Sequence, residues 1–458
     1  MANNSRIAAD KNGNIIQFQM NANTTSNSVD LSAGVAEFRY YESVLSNTIT
    51  ATAAIVETGF QTTDGSQTET ASGTLDSLPI RGGERTDIIV EDAHDPKNRL
   101  DFGPTTDGLY VNRVRDADPG TQQDVYFVDF ASKEYFSNDK TRVVKKYEGK
   151  ISDNIQLILD EVLEASGESE IDETALPYNF IGCDRKPFHV CTWLASKSVP
   201  VVGSGSDTVK GPAGFLFYQT RDGFSFKSID AIFNNSNEGR MKKYIFNNTG
   251  QEVDGFDDNI LNYNINRDID LHENLILGTY MNRSLFLNPL TYEYNAVQYS
   301  IEEQKETAKI AGKEDEYIVV APEFINSPSR IMTHIKDVGS LPSGVTSTEQ
   351  LENWKEGFDE SNFDSDKSMV QSIMRYNQLF SIQIEVMIRG DFSLKAGQLI
   401  WCDFREMSGD KTAGQNPKSG GIYMIASVCH RMIGKGGTYS SLSLVRDSFG
   451  KKPQNGGY

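Results

Sequence analysis

Only four cysteines, Cys183, Cys191, Cys402 and Cys429, occur in 458 residues, too sparse for a disulfide scaffold. Basic side chains are short as well. Lys plus Arg number 44 against 64 Asp plus Glu, a net charge of -20, and such a chain repels phosphate backbones and anionic lipid surfaces. Specific DNA binding and membrane insertion are therefore not expected. No apolar run approaches the ~20 residues of a membrane span, and Met1 to Gln19 lacks the basic start and apolar core of a signal peptide. The expected product is made and kept in a cytoplasm. Also missing are a Gly-x-Ser-x-Gly elbow, a phosphate loop and a His-Glu-x-x-His pair.

The residues that could carry chemistry are few, and each has a plainer use. Asp92, His94 and Asp95 offer a carboxylate and an imidazole, but a metal needs three or four convergent ligands, and Pro96 and Gly103-Pro104 mark a turn-rich loop. Cys402, Cys429 and His430 fall on adjacent expected strands, yet Cys429 and His430 point to opposite faces of one strand. Buried thiols account for them. His189 and Cys191 lie in "PFHVCTW", a core-helix pattern without a partner Cys-x-x-Cys. Paired carboxylates abound in so acidic a chain and do not by themselves indicate a hydrolase. No residue is assigned a catalytic, cofactor-binding or metal-ligating role, no cofactor is expected, and the chain is read as a non-enzyme.

What is present is strand pattern. Across Tyr376 to Phe449, Phe380, Ile382, Ile384, Val386 and Ile388 alternate with Ser381, Gln383, Glu385 and Arg389, the period of a half-buried strand. Turns at Gly390-Asp391, Lys395 to Gly397 and Gly434 to Gly437 separate Leu399 to Phe404, Ile422 to Arg431 and Tyr439 to Val445. A polar loop, Met407 to Gly421, lies between. This reads as an antiparallel meander closing into a small barrel.

Earlier in the chain, Met1 to Leu31 is polar and reads as an arm that settles against a neighbour or stays disordered. From Val35 to Val144 all signals are strand, with Ile49, Ala51, Ala53 and Ile55 alternating with threonines. At Ser152, an expected N-cap, the period turns helical, and Ile155, Leu159, Val162 and Leu163 share a face ending before Gly167. Ile151 to Phe180 holds eight acidic residues and no basic one, a solvated face or a partner surface. A second helix starts near Pro187. Phe215 and Phe217 with Phe224 and Phe226, either side of the turn Arg221 to Gly223, place four rings on one buried hairpin face. Leu261 to Leu287 holds further strand-like runs. Glu302 to Glu316 and Glu349 to Asp366 carry six and seven acidic residues and read as solvent-facing helices or loops.

The runs "IRGDFSLKAGQLIWCDF" and "GGIYMIASVCHRMIGKGGTYSSLSLVRDSFG" resemble the closing barrel of the central baseplate hub protein of contractile-tailed (myovirus) phages of the T4-like type. "GPAGFLFYQTRDGFSFKSIDAIF" is similar to that family's hairpin, "RKPFHVCTWLASKS" to the helix before it, and "FRYYESVLSNTITATAAIVETG" to the opening of its first barrel. These are packing patterns in matching order over most of the chain.

The resemblance implies a mainly β (α+β) fold with two tail-tube-like antiparallel β-barrels. It divides the chain into an arm 1–31, a first barrel 32–148, a middle α+β region 149–375 with hairpin 211–233 and acidic insertions, a second barrel 376–449 and a flexible tail 450–458. Part of the middle region could complete the second barrel. The function implied is a trimeric ring in a virion, assembled in a host bacterial cytoplasm, that adapts a six-fold tail tube to a three-fold central spike and lets DNA through without binding it. The charge surplus is expected on the lumen of such a ring, where it would keep DNA moving by repulsion, with solubility as the other account of it. Its partners would be its own copies, the spike, and the tube or tube-initiator protein. A host-surface or carbohydrate-binding tail module is the alternative, favoured in principle by 19 Tyr and three Trp, although these mostly sit in core patterns. A peptidoglycan-cleaving enzyme has no domain-sized stretch left to occupy.

Overall fold

A computed structural model describes residues 11–450 except 24–25, 58–59, 63–69, 73–77, 79, 120–123, 202–212, 235–240, 248–252, 268–269, 290–291, 306–307, 313–319, 337–345, 347, 350–364, 405–418 and 435. The loop Met407 to Gly421, the segment Glu349 to Asp366 and the tail 450–458 thus fall almost wholly outside the described residues.

The protein is mainly β. Its first strands are β1 (Gly13–Asn21), β2 (Ser28–Asp30), β3 (Val35–Ser43), β4 (Thr50–Glu57), the short pair β5 (Phe60–Thr62) and β6 (Thr70–Ser72), β7 (Arg85–Asp92), β8 (Arg99–Phe102), β9 (Leu109–Pro119) and β10 (Asp124–Ala131). They run β1-β7-β9-β10-β4-β3 around one core, in which Phe18 meets the edges of Phe38 and Phe130 at centroid separations of 6.2 and 5.9 Å. The polar run 1–31 is therefore not an arm throughout. Its residues Phe18, Met20, Val29 and Leu31 are core, and a bulge between Ile15 and Gln17 shifts the alternation that would have announced the strand. A helix, Lys133–Lys140, also interrupts what reads as continuous strand signal.

The middle region begins with β11 (Lys146–Tyr147), β12 (Glu170–Ile171) and β13 (Phe180–Ile181) around the helix Ile151–Leu157, which continues as a π-helix over Ile158–Leu163. Ile155, Leu159 and Leu163 are buried as their spacing requires. Ser152 does not cap this helix. Lys150 occupies the cap position, and the Ser152 N–H donates to Thr174 Oγ1 at 3.0 Å. The helix Pro187–Ala195 starts with its proline in the first turn. The hairpin β14 (Phe215–Thr220) and β15 (Gly223–Ser228) follows. Its four phenylalanines are buried and stacked, Phe215 on Phe226 at 4.7 Å and Phe217 on Phe224 at 5.5 Å. Its other face is buried too. Leu216 and Tyr218 pack against Met424, Ala426 and Val445, and Gly397, at φ +79, leaves no room for a Cβ beside the Tyr218 hydroxyl.

Next come β16 (Lys243–Phe246), β17 (Asp258–Arg267), a peripheral sheet of β18 (Met281–Leu287), β19 (Tyr294–Ser300) and β20 (Arg330–Ile335), and finally β21 (Ile382–Arg389), β22 (Leu399–Asp403), β23 (Gly421–Ile433) and β24 (Thr438–Arg446). Leu261 to Leu287 is not all strand, because the helix Leu271–Leu277 divides it under an Asp270 cap. In the segment Glu302 to Glu316, Glu302 and Glu303 face solvent, whereas Gln304, Ile310 and Ala311 are buried.

Strands β16, β22, β23, β24, β21 and β17 close into a ring around Tyr244, Ile384, Val386, Tyr423 and Leu444. Two of the six lie upstream of Tyr376, so the region 376–449 does not hold this barrel alone. Both six-strand units have the same order, the first strand of each beside the fourth, followed by the fifth, sixth, third and second, and among the described residues only the second closes by a pairing of its second strand with its first. They differ at the first strand, since β1 is antiparallel to β7 whereas the short β16 is parallel to β22. The two are fused. The far half of β23 pairs with β3 from Ser427↔Ser43 to Ile433↔Glu37, and the tip of the β23–β24 hairpin fits between β3 and β1, where the Thr438 N–H donates to Lys11 O at 2.8 Å.

Candidate functional site

The fusion produces one continuous surface. Strands β9, β10, β4, β3, β23, β24, β21 and β17 form a sheet in which every neighbouring pair is antiparallel. Directly opposed residues share a face. One row therefore crosses the sheet from Arg113 through Asp129, Thr52 and Arg39 to Arg431, and another runs from Tyr41 through Cys429, Ser441 and Met387 to Asn262. A groove of about 480 Å³ over the seam is lined by hydroxyls and amides such as Ser43, Thr50, Asn264 and Ser443.

Two carboxylates on this face are paired with guanidiniums, while Glu385 accepts from Asn266 Nδ2 at 2.7 Å. Asp129 accepts from Arg113 at 2.8 Å and Arg115 at 3.0 Å. Burial raises its pKa, but the two guanidiniums and Thr52 outweigh that and hold the carboxyl below its usual range. Glu37 is likewise held low against partial burial by Arg39, at 2.7 Å, and Arg431 across the seam. The acidic surplus of the chain is not displayed here.

Beneath the seam, buried polar groups tie the barrels to the hairpin. Glu42 on β3 accepts from the Ala396 N–H at 2.9 Å, the Arg221 N–H at 3.0 Å and Tyr40 Oη at 2.8 Å; burial pushes its pKa up against these bonds. His430 sits between Ser440 Oγ at 2.8 Å and Leu394 O at 3.0 Å. Because a carbonyl only accepts, Nε2 carries the proton, and Ser440, which already accepts from the Asp391 N–H at 3.0 Å, donates to Nδ1.

Burial lowers the His430 pKa from 6.5 to about 4. The unfolded imidazole takes a proton in this window and the folded one does not, so stability is complete above pH 6.5 and falls towards pH 4. Asp230, raised to about 6 by burial against the opposing pull of Arg375, acts in the other direction, so the test compares two proteins. The stability difference between wild type and His430→Gln is expected to shrink by about 3 kcal/mol between pH 6.5 and 4. Parallel curves in denaturant titrations across that range would refute it.

A second tie lies at the end of the final strand. Arg375, on the helix Ser365–Leu379, is fully buried and donates to Asp447 Oδ2 at 2.6 Å, Asp230 Oδ1 at 3.1 Å and Lys309 O at 2.6 Å. Asp447 Oδ1 accepts from the Ala311 N–H at 2.9 Å, and Ser448 Oγ from the Gly312 N–H at 2.8 Å. The "VRDS" ending thus anchors the middle region to the barrel. Those residues stand out in the sequence, whereas Arg375 does not, because its partners lie far away in the chain.

The residues weighed for chemistry stay apart. Asp92 and Asp95 accept from backbone N–H groups of His94 and Lys97 at 2.8 and 3.1 Å, as turn residues do. Cys402 is buried, Cys429 faces the groove, and His430 faces inward. Cys191 is buried while His189 is exposed on the same helix. Among the described residues no cluster of three or more His, Cys, Asp or Glu could hold a metal, and no helix is long and apolar enough to cross a membrane.

No family model matches the chain, and no curated protein matches it. Solved structures do. A tail protein from Neisseria meningitidis MC58 aligns with TM-score 0.51 and 9% identity over 95% of this chain and 97% of its own. The 43 kDa tail protein of prophage MuSo2 from Shewanella oneidensis aligns with TM-score 0.48 and 10% identity over 94% and 98%. The prophage tail protein gp18 from Listeria monocytogenes EGD-e aligns with TM-score 0.43 and 7% identity over 94% of each chain. Along nearly its whole length, the chain shares the fold of the Neisseria tail protein.

Proposed function

We propose that this chain is a structural subunit of a contractile-tail baseplate of the T4-like type, three copies of which close a ring between a six-fold tail tube and a three-fold central spike. The observation that carries this reading is the repeated six-strand unit. One chain contains two such units of the same strand order, so three chains present six similar units to a six-fold neighbour. Their joined sheets would supply ~24 strands, and at about 4.8 Å per strand with the tilt usual in barrels the backbone ring is about 45–50 Å across. That leaves a passage for a DNA duplex after side chains are allowed for.

The wall facing the passage would be the eight-stranded face. Its Asp129 and Glu37 carboxylates pair with guanidiniums, Glu385 with the Asn266 amide, and hydroxyls surround them, so the wall would carry little net charge to hold DNA. The reading makes the protein a non-enzyme of the virion, assembled in a bacterial cytoplasm, with its own copies, the spike and the tube as partners.

Light scattering of the purified chain is expected to give three chain masses, and end-on images a ring of six lobes with a central hole. A monomer at every concentration would overturn the ring.

A further inference from the structure

We propose that the outer face of the peripheral sheet, β18 to β20, is a docking surface for an amphipathic helix of another protein, one that carries a carboxylate within its apolar stripe. The inference is independent of the ring, because no strand of this sheet pairs with a strand of either barrel. Register sets short rows of side chains on that face. Ile335, Leu287 and Tyr294 are directly opposed, as are Ile331, Arg283 and Gln298, and Leu285 lies between the two rows. Alternation sends the intervening residues to the other side, where Phe286 and Tyr299 pack against Val370 and Met374 of the helix Ser365–Leu379. One face is thus closed by a helix and the other is bare. Ile335 is 74%, Ile331 62% and Tyr294 75% exposed, and apolar side chains gathered in this way mark a surface that something covers.

Geometry and charge say what the cover is. β18 and β20 run parallel, and parallel strands occur with both faces covered, as a rule by helices. Three strands by three rows measure about 10 by 13 Å, which is the footprint of about two and a half turns of a helix about 10 Å across. Arg283 stands exposed on the central strand and makes no ion pair among the described residues, in a chain whose net charge is -20. None of the outward positions on the three strands is acidic. A second copy docking through the same face would therefore bring no carboxylate to this guanidinium. A helix with apolar residues three and four apart and one Asp or Glu among them would cover Ile331, Ile335 and Leu287 and pair with Arg283 at the same time.

The probe is a displayed library of short amphipathic helices with a leucine stripe and randomised positions within it, selected against the immobilised full-length chain. Recovered helices are expected to carry Asp or Glu in the stripe. They should bind at least about tenfold more weakly to the double variant Ile331→Ser with Ile335→Ser and to Arg283→Glu, while circular dichroism and light-scattering mass stay as in wild type. Lys in place of the selected acid is expected to restore binding to Arg283→Glu. Recovery of no helix, or of helices that bind all of these proteins equally, would overturn the site. In a second arm, full-length chain with Ile331→p-benzoylphenylalanine is irradiated with and without a recovered helix. Attachment to the helix is expected, whereas attachment in its absence to the chain's own residues 349–366 or to a second copy would overturn a separate partner. None of these outcomes turns on whether the chain is a trimer, so the docking face and the ring fail or stand separately.

Discussion

Replacing Arg375 with alanine is expected to destabilise the folded chain by about 3–5 kcal/mol, the cost of leaving buried carboxylates without their partner. Arg375 is 1% exposed and Asp447 fully enclosed, so water cannot replace the guanidinium. Its three contacts also join pieces otherwise far apart: the helix Ser365–Leu379, the helix Ile229–Asn234 through Asp230, the loop at Lys309 and the barrel's last strand through Asp447. Arg375→Lys keeps the charge but cannot reach both carboxylates with a planar fork, so it should fall between wild type and alanine. The check is the midpoint of denaturant unfolding. A loss below about 1 kcal/mol for the alanine variant would show that the ion cluster is not a stability element.

Phe217→Ala is the second large effect, about 3–5 kcal/mol from lost transfer energy and the cavity left behind. The ring stacks on Phe224 at 5.5 Å and meets Phe188 at 6.2 Å, and its strand is buried on both faces. Collapse of neighbours into the gap is therefore hindered, which places the cost towards the top of that range. Phe217→Leu retains most of the volume and should lose about half as much or less. Wild-type unfolding and assembly in the alanine variant would refute the packing described for the hairpin.

How far the sequence could be read follows from the range of the interactions concerned. The strands β21 to β24 and the hairpin β14–β15 were legible because alternation and Gly or Asp turns act between near neighbours in the chain. The apolar face of Ile155, Leu159 and Leu163 was legible for the same reason, although its start was misplaced because Ser152 bonds Thr174 across the fold rather than its own helix. The strand β1 was hidden by the bulge at Ile15 to Gln17, which shifts the period of two partway along. β16 has four residues, too few for a pattern to stand out.

The sequence by itself determined the strand-rich class, the buried hairpin, the helix after Pro187 and the want of catalytic signatures, since composition and short-range periodicity settle these. Tertiary structure alone decided the rest: that β23 serves two barrels, that Arg375 meets Asp447 and Asp230, and that Asp129 and Glu37 on the shared wall meet guanidiniums. Each of those depends on pairing between segments tens to hundreds of residues apart, and the free energy of such contacts comes from burial and hydrogen bonding in the closed fold, which no local pattern encodes.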